Sequence, residues 1–306
     1  MQFSLTAGVV LIMFAYAIPG FLFVKSKMIK PEQIRAFSIV LLYLCSPCLT
    51  LYSFQKIQYS NQMVINMLIF FGISFAIQLI AMGILYLIFR KKYDDARFRL
   101  ITIGAAFGNI GFMGVPLLEA LLPSYPEAIT YSAIFVISMN LISWTLGCTI
   151  LTRNKNHVSL KKIFINPTSL ILLIALPLFF TSTSLPTAIY NPISLVGRMS
   201  TPICMLILGM RFATVKPKEL FCDWTIYLTS ALKLIAFPFL AFLVTHFLPI
   251  SYPLKATMFI LCCCPTASVV LNFAEIYKIG QKSAANTVLA STIFSMISIP
   301  LLLLVL

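Results

Sequence analysis

Apolar runs of about twenty residues recur along the whole of this 306-residue chain with only short polar gaps between them, and that recurrence constrains the fold more than any other feature. A hydrocarbon core about 30 Å thick needs roughly 20 apolar residues to be crossed by one helix. Ten such runs can be placed, at residues 3–24, 34–54, 63–89, 100–122, 128–151, 167–184, 189–212, 224–248, 254–277 and 283–306. In lipid every main-chain N–H and C=O needs an internal partner, so each run is expected to be helical. With 60% hydrophobic and 10% charged residues, and a mean hydropathy of +0.99, the chain lacks the polar surface of a water-soluble domain. The expected fold is an all-α polytopic membrane protein of ten transmembrane helices, one membrane domain with no soluble domain. No basic stretch precedes the first run and no small-residue cleavage site follows it, so it is expected to stay as the first span.

The net charge of +14 does not point to nucleic acid, because the basic residues sit in short gaps between apolar runs. Lys25, Lys27, Lys30 and Arg35 follow run one, and Arg90, Lys91, Lys92, Arg97 and Arg99 follow run three. Arg153, Lys155, Lys161 and Lys162 follow run five, Arg211, Lys216 and Lys218 run seven, and Lys278 and Lys282 run nine. The alternate gaps hold only Lys56 and Lys255. By the positive-inside rule the odd-numbered gaps face the cytoplasm and both termini face outside, in a multi-pass protein of the cytoplasmic membrane. The two histidines, His157 and His246, lie far apart and offer neither a metal pair nor a triad. Cys262, Cys263 and Cys264 are consecutive, so on a helix their side chains diverge and suit packing rather than one metal ion.

Two runs are poor helix formers. Residues 104–116 hold Gly104, Gly108, Gly111, Gly114 and Pro116, and the chain is expected to unwind around Asn109 to Pro116. Run nine carries Cys264, Pro265, Thr266, Ala267 and Ser268, followed by Asn272. Sliding the chain by about 155 residues lays Cys45-Ser46-Pro47 over Ser200-Thr201-Pro202, Arg99 near Lys255 and Glu119 near Glu275. Five spans per half would invert the second half, giving repeats at 1–152 and 153–306 with helices four and nine interrupted at matching depth. Interruptions so placed mark a transport site, whose half-helix N-termini attract an anion. Gly and Pro also serve close packing and kinks in membrane helices, and that reading stays open for each run taken alone.

The stretch Gly108-Asn109-Ile110-Gly111-Phe112-Met113-Gly114-Val115-Pro116-Leu117-Leu118 resembles the fourth-span motif of the auxin efflux carrier family, whose bacterial members include malonate and malate permeases. Pro265-Thr266-Ala267-Ser268, Asn272 to Tyr277, Ala290-Ser291-Thr292 and Ile299-Pro300 resemble its last two spans. Asn166-Pro167 and the run Ser200-Thr201-Pro202 to Leu208-Gly209-Met210 fit its sixth and seventh. The resemblance implies two inverted five-helix repeats whose broken helices four and nine cross, similar to the bile-acid:sodium symporters and the sodium–proton antiporters. It places a substrate carboxylate at that crossing, among Asn109, Gly111, Gly114, Pro116, Pro265, Thr266, Ser268 and Asn272, with Asn140 reaching in. Plant members carry a long loop between spans five and six; here Arg153 to Asn166 is short, which argues against plant-type regulation and against auxin itself.

Arg198 and Lys233 are the charges nearest to membrane depth. Arg198 either faces a cavity or snorkels to the outer surface. Lys233 is a counter-charge for the substrate, a proton-coupled switch or one half of a pair with a carboxylate. Glu119 and Glu275 lie toward the ends of their runs and form no acidic pair of the antiporter kind. The primary expectation is a secondary transporter of a mono- or dicarboxylate by an elevator or rocking motion, without cofactor or bound metal and with H+ or Na+ as the candidate coupling ion. The lipid bilayer and a small organic anion are the expected partners, with no nucleic acid and with room for a homodimer. The rivals are a cation-coupled symporter or antiporter of another substrate and a non-transporting receptor or scaffold. A membrane enzyme is not expected, since no nucleophile and base converge.

Overall fold

The computed structural model describes residues 3–154, 156, 158 and 167–306, so Lys155, His157, Lys161, Lys162 and Asn166 lie outside the described residues. Seven helices are long and apolar enough to cross a membrane: α1 (Ser4–Lys25), α2 (Pro31–Gln55), α3 (Asn61–Lys92), α6 (Glu127–Thr152), α8 (Thr187–Thr214), α9 (Trp224–His246) and α12 (Gln281–Val305). Between them lie shorter segments: α4 (Ala96–Ala106), α5 (Ile110–Leu121), α7 (Pro167–Phe180), α10 (Tyr252–Cys262) and α11 (Ser268–Tyr277). Runs 100–122 and 254–277 are thus each two short helices, α4 with α5 and α10 with α11. Among the described residues there is no strand, only a single antiparallel bridge between Gly108 and Thr266.

Polar and apolar side chains are distributed as a lipid-solvated protein requires. Leu11, Leu68, Leu87, Leu173, Ile235, Phe239 and Ile297 are exposed on the helix faces, while Ser74, Gln78, Thr102, Ser138, Thr257 and Ser291 are fully buried. Inside, several of these groups find one another, although Thr257 Oγ1 has no hydrogen-bond partner among the described residues. Ser74 Oγ and Ser138 Oγ lie 2.9 Å apart, and Gln78 Nε2 donates to Ser138 Oγ at 2.9 Å, tying α3 to α6 beside the stacked rings of Phe70 and Tyr131. At the polar ends, conventional caps operate: Asp95 accepts from the Arg97 amide at 2.9 Å and starts α4. The Arg97 hydrogen bonds also hold the Asp95 carboxyl below its usual range, so the cap stays ionised at neutral pH.

Two packing groups emerge. The second half of α1 lies against α2 and α8 around Ile34, Leu41, Cys45, Ile207 and Met210, and α7 packs on α2 with Phe179 edge-on to Phe54. The remaining helices share the large core that includes Phe70, Phe107, Ile110, Tyr131, Leu261 and Phe273, and that core continues into the first group through Val10, Met13, Leu51, Phe54, Phe179 and Met205. Glycine permits the closest approaches in the first group. A Cβ on Gly209 would lie 1.8 Å from the Ala17 carbonyl oxygen, one on Gly20 would lie 2.0 Å from that of Leu206, and one on Gly197 would lie 2.9 Å from Leu49 Cα.

Helix interruption follows a different rule from the expected one. Unwinding is confined to Phe107–Asn109, not Asn109 to Pro116, because α5 begins with a π-helical turn at Ile110–Gly114 and Pro116 is the second residue of the α-helical segment after it. The wide turn spares the proline ring its clash with the carbonyl four residues back, and the missing N–H falls where the widened ladder makes no demand for it. Pro47 follows the π turn Leu41–Cys45 and Pro238 the π turn Leu232–Ala236 in the same register. We expect Gly209→Val to destabilise the detergent-solubilised protein by more than the about 1–3 kcal/mol typical of overpacking, read as a lowered melting temperature, because the opposing atom is main-chain carbonyl. An unchanged melting curve would show that α1 and α8 are not locked at this point.

Candidate functional site

The two interrupted segments meet. Phe107 is extended, with φ −102° and ψ 124°, and so is Ala267, with φ −71° and ψ 144°. They run antiparallel: the Asn109 amide donates to the Pro265 carbonyl at 2.7 Å and the Ala267 amide to the Phe107 carbonyl at 2.9 Å. Pro265 contributes only its carbonyl, so the N–H it lacks is not missed. Thr266 completes the join, donating from Oγ1 to the Gly104 carbonyl at 3.1 Å and from its amide to Ser291 Oγ at 3.2 Å. Gly108 lies opposite Thr266, and the space a side chain would take is filled by Lys233, whose Nζ would lie 3.0 Å from a Cβ at that position.

A cavity of about 280 Å³ lies on one side of this crossing, between the two packing groups. Its walls come from α2, α8, the α4–α5 break, α5, α6, α11 and α12. Of the residues expected around a substrate, Asn109, Gly111, Asn140, Ser268 and Asn272 line it. Gly114, Pro116, Pro265 and Thr266 do not; Gly114 abuts Leu261, where a Cβ would come within 2.6 Å of Cδ2, and Pro265 and Thr266 build the join itself. The side-chain amides of Asn109, Asn140 and Asn272 make no hydrogen bond to protein, and Asn140 is 6% exposed. The amides of Ser268 and Val269 open α11 toward the cavity without main-chain or side-chain acceptors, as the first turn of any helix leaves them. Hydrogen-bond donors therefore converge on the space, and a helix terminus adds its positive end.

Sequence reasoning missed one residue of consequence. Arg211 was grouped with the loop charges after run seven, but it lies in the last turn of α8, lines the cavity and has no carboxylate within ion-pair distance among the described residues. Serines 38, 46, 53 and 132 were missed with it and also line the wall. Arg198 is exposed on α8 and takes no part in the cavity. Lys233 is fully buried in the π turn of α9 and also stays out of the cavity wall. Its Nζ donates to the Cys262 carbonyl at 3.2 Å and stands 3.8 Å from the Phe237 ring centroid, so the carboxylate partner expected as one option is replaced by a carbonyl and a π face. Glu119 reaches Lys56 at 3.8 Å near the surface, and Glu275 is exposed.

The family described as membrane transport protein, of the auxin efflux carrier type, matches residues 5–159 and 151–303, nearly the whole chain. The chain belongs to this family. No curated protein matches it. For this member of the family the apolar exterior and the matched length together make it a multi-pass membrane protein, and the resemblance drawn from its span motifs holds at the level of the family.

The join can be tested apart from any substrate. Thr266→Val keeps shape but removes the donor to Gly104, and it should destabilise the protein by about 1–3 kcal/mol. Thr266→Ser should recover most of that, read as melting temperature in detergent. Equal melting of the valine and wild-type proteins would mean that the hydroxyl does not hold the crossing.

Proposed function

We propose that the chain is a secondary transporter of a small organic anion, a mono- or dicarboxylate, bound in the cavity at the crossing of the two broken helices. The observation that carries the reading is the lining: unpartnered amide side chains at Asn109, Asn140 and Asn272, the open N-terminus of α11 and the unpaired guanidinium of Arg211, with no acidic residue among the lining residues. Such a set offers hydrogen bonds and positive potential to a carboxylate and leaves a neutral or cationic solute poorly matched. A volume of about 280 Å³ suits a small acid with some water. On this reading 1–152 and 153–306 are the two inverted halves of a ten-span protein, each contributing one broken helix. Support comes from the pairing of Gly108 with Thr266, one from each half, and from the start of a helical segment at Ser46 and at Ser200 with proline one or two residues on. Transport follows when the group containing the crossing moves against the group built on α1, α2, α7 and α8, an elevator-type motion in the cytoplasmic membrane.

Proteoliposomes holding the purified protein should take up labelled malate, malonate or an aromatic carboxylate saturably, with separate pH and sodium gradients identifying the driving ion. Absence of flux for every anion under both gradients would refute the reading. Asn109→Ala should abolish uptake while leaving membrane insertion and melting temperature near wild type, because the substitution keeps the main-chain bond to Pro265 and the side-chain amide makes no hydrogen bond among the described residues. Arg211→Gln should raise KM for a dicarboxylate at least about tenfold, the loss expected for one charge-assisted pair. Arg211→Lys should be intermediate. A monocarboxylate carried equally well by wild type and Arg211→Gln would assign the guanidinium to the second carboxylate.

A further inference from the structure

Each broken helix has two ends, and only one of them faces the cavity. The N-termini of α5 and α11 open toward it; α4 and α10 direct their carbonyl ends to the other side of the join. A carbonyl end carries roughly half a negative charge, and where two such ends meet in a membrane protein they are a natural seat for a monovalent cation. In this chain a side chain already occupies that seat. Lys233 projects from the π turn of α9, Nζ donates at 3.2 Å to the carbonyl of Cys262, the last residue of α10, and the same Nζ packs against Gly108 just past the end of α4. The Phe237 ring covers it at 3.8 Å. Burial is complete, no carboxylate pairs with it among the described residues, and it does not line the cavity. A buried ammonium so placed is compensated by the two helix ends and a π face, not by an acid and not by the substrate.

We propose that Lys233 stands in for a coupling cation: its ammonium neutralises the carbonyl pole of the crossing, and the protein binds and moves its substrate without bound sodium or potassium. This rests on the reading of the crossing as the transport site. It goes further in assigning the opposite pole to a fixed charge, and it removes sodium symport from the candidate mechanisms. Gly108 belongs to the same device, since a Cβ there would crowd Lys233 Nζ at 3.0 Å and Cε at 3.3 Å and push the ammonium from its present seat by a few tenths of an ångström.

Melting of the purified full chain in detergent, measured in sodium, potassium and choline chloride at equal ionic strength, tests the proposal without any flux. Wild type should melt at the same temperature in all three salts. Lys233→Ala opens a vacancy at the carbonyl pole, so it should melt lower than wild type in choline and regain part of the loss saturably as sodium or potassium replaces choline. Lys233→Met fills the space without charge and should melt lower in every salt with no recovery. A sodium-specific rise in wild-type melting, or a Lys233→Ala curve identical in the three salts, would overturn the assignment. Should the alanine variant fail to fold, wild-type uptake decides: it should be unchanged when choline replaces sodium, and a sodium requirement would refute the proposal. Loss of all flux with salt-independent wild-type melting and cation-rescued Lys233→Ala would instead refute the substrate reading and leave this one standing.

Discussion

Everything around the cavity depends on two main-chain hydrogen bonds, from Asn109 to Pro265 and from Ala267 to Phe107. Interrupting a helix at membrane depth strands several N–H and C=O groups, each costing about 2–7 kcal/mol in an apolar medium with no partner. Neither break could persist alone. Run side by side in opposite directions, the two extended stretches supply each other's donors and acceptors, and Thr266 closes the account by serving Gly104 and borrowing Ser291. Residues about 160 positions apart are thereby joined at the place where the chain is least able to tolerate disorder. The halves cannot be formed independently and docked later without passing through a state with those groups unpaired, so folding of α4, α5, α10 and α11 should be cooperative across the whole chain.

The same join sorts charge. Because both helices break in the same sense, their N–H ends fall on one side and their carbonyl ends on the other, which makes the crossing a dipole across a few ångströms of protein. Donor side chains and Arg211 gather on the first side and Lys233 lies on the second. Glycine at 108 and proline at 265 are needed for reasons that have little to do with flexibility: one leaves room for the ammonium, and the other sits where only its carbonyl is used.

Spans and breaks were legible from sequence because lipid leaves so few alternatives. Any run of roughly 20 apolar residues must become helix, and clustered glycine and proline inside such a run must be explained. The extent of the first break was misjudged because Pro116 was weighed as a breaker, whereas the π turn at Ile110–Gly114 absorbs it; that turn costs the sequence nothing visible. Arg211 escaped notice because a cationic residue at the end of an apolar run reads as an orientation signal, and only the packing of α8 beside α5 and α12 turns it inward. The polar tie among Ser74, Gln78 and Ser138 was likewise invisible, since those residues are spaced for it only once α3 and α6 lie together. Asn109, Ser268 and Asn272 could be placed beside the cavity from sequence because they sit at the breaks or within the first turns after them.

The contacts between the two packing groups differ in kind from those within them. Inside the α1, α2 and α8 group, glycine lets main chains touch, and such interlocked backbones offer no low-cost path for sliding. Among the described residues, polar side-chain links across the cavity are found at one end, where Thr130 Oγ1 donates to the Ser53 carbonyl at 3.1 Å and Lys56 faces Glu119 at 3.8 Å, and there Leu49 and Tyr52 also pack on Val115 and Ile129. That end of the cavity is closed, with Ser53, Ile129 and Ser132 almost fully buried, whereas Thr214 at the far end is exposed beside the half-buried Arg211. A single neutral hydrogen bond and one half-exposed ion pair contribute together only about 1–2 kcal/mol. These polar links are thus the smaller part of the closure, since buried apolar side chains such as Leu49 and Ile129 contribute about 1.5–3 kcal/mol each. On the proposed transport reading, movement of the crossing would have to part this apolar contact while leaving the glycine contacts and the paired breaks intact.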